Sequence, residues 1–273
     1  MVKFLLATDL DNTLVGDLWA TIGLNQRLAA ARQQFYLVYA TGRSLDSFRQ
    51  LQQEFHSDTN TQLLEPDYLV AGVGTEIYHQ GQLDQEWAAH LSQHWQREAI
   101  TKIGDNFPAL IYQPDTEQNP WKVSYYLQPT AISTPSSFLS AADLQNLPKQ
   151  KSNKQIIDDL RLQLAAVGLS AQVVFSSNRD VDILPYHGDK GQAVRYLQKK
   201  LRVNSQFTLV CGDSGNDITM FQEKTLGVMV GNSQPELLEW HEAHPEAQHY
   251  LARSTYANAI WEAIEHFQLL SSP

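Results

Sequence analysis

Asp9 and Asp11, two residues apart in DLDNT, and Asp213 and Asp217, in GDSGND, are the side chains of this sequence best suited to chemistry. Each string ends an apolar run, FLLAT in the first case and TLVC in the second. Runs without polar alternation read as strands covered on both faces, and parallel sheets built from such strands bind ligands at their carboxyl ends. Either string alone would also serve as a tight turn or a helix cap, because Asp and Asn bond readily to nearby backbone. Together the four carboxylates would repel one another in a low-dielectric pocket unless a cation sat among them. The ion implied is Mg²⁺, which is hard and is commonly held by one or two carboxylates, waters and a substrate phosphate.

Two more strand ends supply donors for an anion. Thr41, Gly42 and Arg43 follow the run FYLVYA and precede the helical pattern SLDSFRQLQQEF. A helix start offers free N–H groups, and glycine lets the backbone approach a bound anion. Lys190 lies near the first turn of the amphipathic segment HGDKGQAVRYLQKKL. Lysine opposes the positive end of a helix dipole, which predicts that a negative ligand holds it there. Thr41 and Lys190 would then donate to phosphate oxygens.

The ordered set DLDNT, TGR, Lys190 and GDSGND resembles the haloacid dehalogenase superfamily of phosphotransferases. The resemblance implies that Asp9 attacks phosphorus to form an aspartyl-phosphate, while Asp11 protonates the leaving oxygen and then activates water. It also implies Mg²⁺ bound by the Asp9 carboxylate, the Asp11 backbone carbonyl and Asp213. Asn216 and Asp217 would position the ion's water shell or Lys190.

Composition fits such an enzyme. A chain of 273 residues predicts two domains. A net charge of -10 argues against a nucleic-acid or membrane surface. The opening MVKFLLATDL is too short an apolar run for a signal peptide, and no stretch approaches a membrane span. Cys211, the single cysteine, reads as a buried reduced thiol of a cytoplasmic protein. There are no internal repeats.

The fold expected is α/β: a doubly wound parallel sheet from residues 1–80 and 188–273, with an inserted α+β cap over 81–187. Core strands are expected at 3–8, 35–40 and 68–73 and in FTLVCGD, LGVMVGN and HYLARS, with a hairpin in GTEIYHQGQ and a closing helix YANAIWEAIEHF. The cap pattern is a long helix over 84–103, a strand in WKVSYYL, a helix over 154–167, and strands in AQVVFSS and DVDILP. Residues 133–153, rich in Ser, Pro and Asn, read as a flexible loop with a short helix possible at 141–147. The resemblance implies a C2B-type cap, which closes over the site and reads the leaving group.

Several strings, among them EQNPWKVSYYL, SSNRDVDILP, VGTEIY and LVCGDSGND, are similar to the sucrose-phosphate phosphatase family of cyanobacteria and plants. That likeness implies hydrolysis of sucrose 6F-phosphate to sucrose, the last step of sucrose synthesis. A disaccharide site needs amides, carboxylates and an aromatic face. The candidates are Glu76, Gln118, Asn119, Trp121, Lys122, Ser177, Asp180 and Asp182. Turn chemistry and cap packing are the competing account of the same residues. Phosphatases of mannosylglycerate or trehalose phosphate, a phosphohexomutase and a non-catalytic partner of a sucrose-phosphate synthase are the alternatives. A monomer is expected, with association with such a synthase left open. His90 and His94 would share a helix face without a zinc motif's glutamate, and His241, His244 and His249 read as a solvated surface.

Overall fold

The computed structural model describes residues 3–55, 62–128, 151–245 and 248–270. The strands in chain order are β1 (Phe4–Thr8), β2 (Phe35–Ala40), β3 (Tyr68–Ala71), β4 (Glu76–His79) and β5 (Gln82–Leu83), then β6 (Leu110–Tyr112), β7 (Val123–Leu127), β8 (Ala171–Ser176) and β9 (Asp180–Pro185), and finally β10 (Thr208–Gly212), β11 (Leu226–Met229) and β12 (His249–Leu251). They form an eight-stranded sheet, ordered β12-β11-β10-β1-β2-β3-β4-β5, and a four-stranded sheet, ordered β6-β7-β9-β8. The large sheet is parallel from β12 to β3 and ends in the antiparallel hairpin β4-β5, so it runs on to Leu83.

The apolar runs sit in this sheet because both of its faces are covered. Phe4 and Leu6 of β1 point into one core with Phe35, Leu37 and Tyr39 of β2. Leu5 and Ala7 point into the other with Val38 and Ala40. Helices Leu18–Ala30, Leu45–Phe55 and Tyr256–His266 contribute to the first core, and helices Gln85–Leu91 and Lys190–Leu201 to the second. β1 lies between β10 and β2, which brings Asp9, Thr41 and Asp213 to one edge.

The small sheet is antiparallel throughout. Its alternation separates packing from chemistry: Val123, Tyr125 and Leu127 of β7 and Val181 and Ile183 of β9 join Ile100, Ile156 and Leu160 in a separate apolar cluster. Lys122, Ser124 and Tyr126 therefore face the opposite way, as do Asp180 and Asp182.

The single long helix expected over 84–103 is two helices, Gln85–Leu91 and Arg97–Gly104, separated by a stretch in which His94 has a left-handed φ of 61°. Each half serves a different core: Trp87 and Leu91 pack on the large sheet, whereas Ile100 packs in the cap. The Trp95 indole N–H donates to Pro120 O (2.8 Å) and Arg97 Nε to Asn119 O (3.2 Å), tying the second half to the cap. His90 and His94 consequently do not share a helix face.

Strand β6, not expected from the sequence, is a three-residue edge between prolines 108 and 114. The histidine-rich segment is also not simply solvated. His244 stacks on Trp240 (ring centroids 4.5 Å), and His249 packs against both Phe221 and Trp240 (5.2 Å each). Most of the expected 133–153 loop, with its short helix, lies outside the described residues. Among those described, no helix is long and apolar enough to cross a membrane.

Gly74 locks one turn of the large sheet against the site. Its φ is +105°, and a Cβ there would lie 2.2 Å from the Asp189 carbonyl carbon and 2.5 Å from Lys190 N. Both the dihedral and the backbone contact exclude a side chain. Gly74→Ala is expected to cost about 2 kcal/mol or more of stability in urea unfolding. An unchanged midpoint would show that the start of helix Lys190–Leu201 is not held against this turn.

Candidate active site

The loop after β1 winds around one buried side chain. Asp9 N donates to Cys211 O (2.9 Å), extending the β1-β10 ladder by a residue. The N–H groups of Thr13, Leu14 and Val15 then converge on Leu10 O (3.2, 2.9 and 2.8 Å), and the Leu10 side chain is buried. Asn12 takes the turn with φ 61°, a conformation Asn tolerates. Asp9 and Asp11 both line the cavity, Asp9 buried and Asp11 half-exposed.

Lys190 is fully buried and spends its three protons on three acceptors: Asp9 Oδ1 (2.7 Å), Asn216 Oδ1 (2.8 Å) and Asp217 Oδ1 (2.7 Å). The anions that hold it at a helix start are thus the chain's own carboxylates, where the sequence predicted a bound ligand. Asp217 uses its other oxygen to accept from Asp213 N (3.0 Å) and Ser214 N (3.1 Å). Asp213 accepts from Thr13 Oγ1 at 3.3 Å.

Asp9, Asp213 and Asp217 each offer an oxygen within 4.8 Å of the others. Three carboxylates against one ammonium leave this buried cluster short of positive charge. Burial pushes Asp9 up to about 7, an effect that Lys190 opposes and Asp217 reinforces. Burial, with Asp217 and Asp9 adding to it, pushes Asp213 up to about 8. An all-oxygen, charge-deficient donor set suits a divalent cation.

Arg43 grips Asp11 with both arms, Nε to Oδ2 (2.7 Å) and Nη2 to Oδ1 (2.6 Å), and donates from Nη1 to Ser47 Oγ (3.1 Å). Thr41 is buried; its hydroxyl oxygen accepts from Arg43 N (3.1 Å) and its carbonyl from Val73 N (3.0 Å). Gly42 and Arg43 line the cavity, whereas Thr41 and Lys190 stand behind its wall.

That cavity, of about 460 Å³, is shared by the two sheets. Asp9, Asp11, Asp213 and Asn216 form one side, and Lys122, Asp180, Asp182 and Ser177 belong to the other. Asp182 accepts from Ser124 Oγ (2.5 Å) and pairs with Lys122 at 3.5 Å, both side chains being buried. Asp180 accepts from Gln113 Nε2 (3.2 Å), and its pKa is raised by burial and by Asp182.

Of the eight residues expected to contact the sugar, four lie outside the lining. Gln118 is spent on Gln113 O, Ser124 O and Ser124 N, pinning the turn before β7. Asn119 Nδ2 donates to Thr75 Oγ1 (2.8 Å), and its Oδ1 accepts from Trp121 N. Trp121 Nε1 donates to Ser92 Oγ (3.0 Å). Glu76 is buried, its pKa raised by that burial, and it bonds to Tyr78. Gln113, Glu117, Tyr126 and Arg179 line the cavity without having been expected, Arg179 lying 4.0 Å over the Tyr126 ring. The two-residue period from Lys122 points to Tyr126; Gln113 and Glu117 sit in irregular chain that carries no such signal.

The sheet order and the residues gathered at its edge define a haloacid dehalogenase fold with an inserted cap. Within that class the chain belongs to the sucrose-6F-phosphate phosphohydrolase family, which it matches over residues 2–148 and 145–268. It is 34% identical to sucrose-phosphatase 2 of Nicotiana tabacum over 98% of this chain and 60% of that protein, so it spans about 60% of that relative's length. It is 29% identical to the mannosylfructose-phosphate phosphatase of Agrobacterium fabrum over 97% of both chains. The sucrose-phosphatase of Synechocystis sp. PCC6803, solved in complex with sucrose and phosphate, is 46% identical and superimposes with a TM-score of 0.87 over 99% of this chain and 100% of that one.

The raised carboxylates predict a pH signature. Folding lifts Asp9 and Asp213 from about 4 in an unfolded chain, so between about pH 4 and 8 the folded state binds more protons than the unfolded one. Metal-free protein should therefore lose thermal stability as pH rises through that window, and a divalent cation should flatten the slope. Equal slopes with and without cation would remove the argument for a metal at this cluster.

Proposed function

We propose that this protein hydrolyses sucrose 6F-phosphate to sucrose and phosphate, the last step of sucrose synthesis. The observation that carries this reading is that one cavity joins Asp9 and Asp11 to the polar face of the cap sheet. Asp9 attacks phosphorus, and the bond to the sugar oxygen breaks as Asp11 protonates it. Asp11 next takes a proton from water, which attacks the aspartyl-phosphate and releases phosphate. To do this Asp11 must loosen its grip on Arg43, whose guanidinium is then free for phosphate oxygens. Lys190 holds the Asp9 carboxylate in place and neutralises part of its charge. Thr41 sets the backbone of Gly42 and Arg43 through its own hydrogen bonds.

Mg²⁺ is the cation proposed, held by Asp9, the Asp11 carbonyl and Asp213; when bound it offsets phosphoryl charge. On the cap side, Lys122, Ser177, Asp180 and Asp182 would read the glucosyl hydroxyls, joined by Tyr126 and Arg179. Glu76, Gln118, Asn119 and Trp121 would shape this site through neighbours. We place the protein in the cytoplasm as a monomer, a setting that suits the buried thiol of Cys211. The mannosylfructose-phosphate relative supports a second reading, in which the glycosyl unit is mannosyl.

Phosphate release with Mg²⁺ tests the reading. Sucrose 6F-phosphate should be hydrolysed at least about tenfold more efficiently than fructose 6-phosphate, since cap contacts to the remote sugar help position phosphorus. Faster release from mannosylfructose phosphate would favour the second reading, and equal rates on all three substrates would remove both.

Two variants probe the roles. Asp9→Asn should stay folded and lose all turnover, because an amide is no nucleophile. Asp180→Ala should narrow the preference for the disaccharide by about fivefold or more, the worth of one polar contact. Substantial turnover by Asp9→Asn would exclude the aspartyl-phosphate route.

A further inference from the structure

Glu236 bridges the cap and the core at the rim of the cavity. It lies in the first turn of helix Pro235–Ala243, where Pro235 opens the helix and Gln234 N donates to Asp213 O (2.7 Å). Its Oε1 accepts two backbone N–H groups, from Ser177 of the cap (3.0 Å) and Gly215 of the core (3.3 Å). Ser177 belongs to the turn between β8 and β9 and has φ 52°. Gly215 belongs to the loop whose neighbours Asn216 and Asp217 bond Lys190.

The two backbones touch at this point. A Cβ on Gly215 would lie 2.5 Å from Phe175 O of the cap and 3.1 Å from Glu236 Cγ. Glycine therefore lets the cap turn rest on the loop, and the Glu236 carboxylate ties the two together. A carboxylate that accepts backbone N–H bonds in the first turn of a helix is also favoured by the helix dipole. The same contact brings Ser177 to the cavity wall beside Ser214 and Asn216.

We infer that Glu236 is a positioning residue that clasps the cap turn against the 212–217 loop, setting the closed register in which the cap meets the leaving group. It touches no reacting atom; it acts through the Ser177 and Gly215 backbones. The inference rests on the phosphatase reading for its catalytic consequence but not for its conformational one. A neutral amide oxygen can still accept both N–H groups, whereas alanine cannot.

The test joins a distance to a selectivity ratio in Glu236→Ala and Glu236→Gln. Cys211 is buried, so spin labels attach at exposed sites introduced by Leu162→Cys in the cap and Lys199→Cys in the core. Glu236→Ala should broaden or lengthen the label-to-label distance, while Glu236→Gln keeps the wild-type distribution. In the unlabelled variants, the ratio of kcat/KM for sucrose 6F-phosphate to that for p-nitrophenyl phosphate should fall about fivefold or more in Glu236→Ala and recover in Glu236→Gln. A wild-type distance distribution in Glu236→Ala would overturn the clasp, as would a Gln variant that opens as fully as the Ala variant. Wild-type protein inactive on sucrose 6F-phosphate would instead overturn the substrate assignment and leave the distance result to decide the clasp.

Discussion

One buried ammonium ties the core together. Lys190 has no exposure to solvent and is tolerable there only because Asp9, Asn216 and Asp217 take all three of its protons. Those partners come from the end of β1 and from the turn after β10, and Lys190 itself starts a helix packed on one face of the same sheet. Satisfying one charge thus fixes three chain segments relative to one another. The arrangement leaves an excess of carboxylate, which suits the strand ends to a divalent cation, and it is through such a cation that a phosphate is proposed to be held there.

The cap answers to different physics. Its own apolar cluster holds its helices against one face of the small sheet, and the opposite face is free to carry Lys122, Tyr126, Asp180 and Asp182. Bond breaking and sugar recognition are therefore proposed to fall on two separately packed bodies that meet at one cavity. Relatives named for phosphatases of different sugars are consistent with such a division.

Strand ends were legible in the sequence because burial on both faces removes polar residues from β1, β2 and β10 and leaves the site aspartates as abrupt exceptions. The superfamily resemblance rested on those exceptions. The break after Leu91 was not legible, since each half of the helix keeps its own periodicity and only packing on two different cores separates them. Cap residues were harder still. Gln118 and Asn119 have the amides a sugar site needs, yet their nearest demands are backbone groups of their own turn and Thr75 Oγ1. Polar side chains beside turns serve structure and ligand with the same chemistry, so type and position alone do not separate the two.

The alternation along β7 limits how this protein can evolve. Val123, Tyr125 and Leu127 fill the cap's interior while Lys122, Ser124 and Tyr126 point the other way. A single inserted or deleted residue inside the strand would exchange the two sets, burying a lysine among aliphatic side chains and turning apolar groups toward the cavity. Changes in the cavity lining contributed by β7 and β9 must therefore come by point substitution at alternate positions, or by length changes confined to the connecting turns, and not by insertion or deletion within these strands.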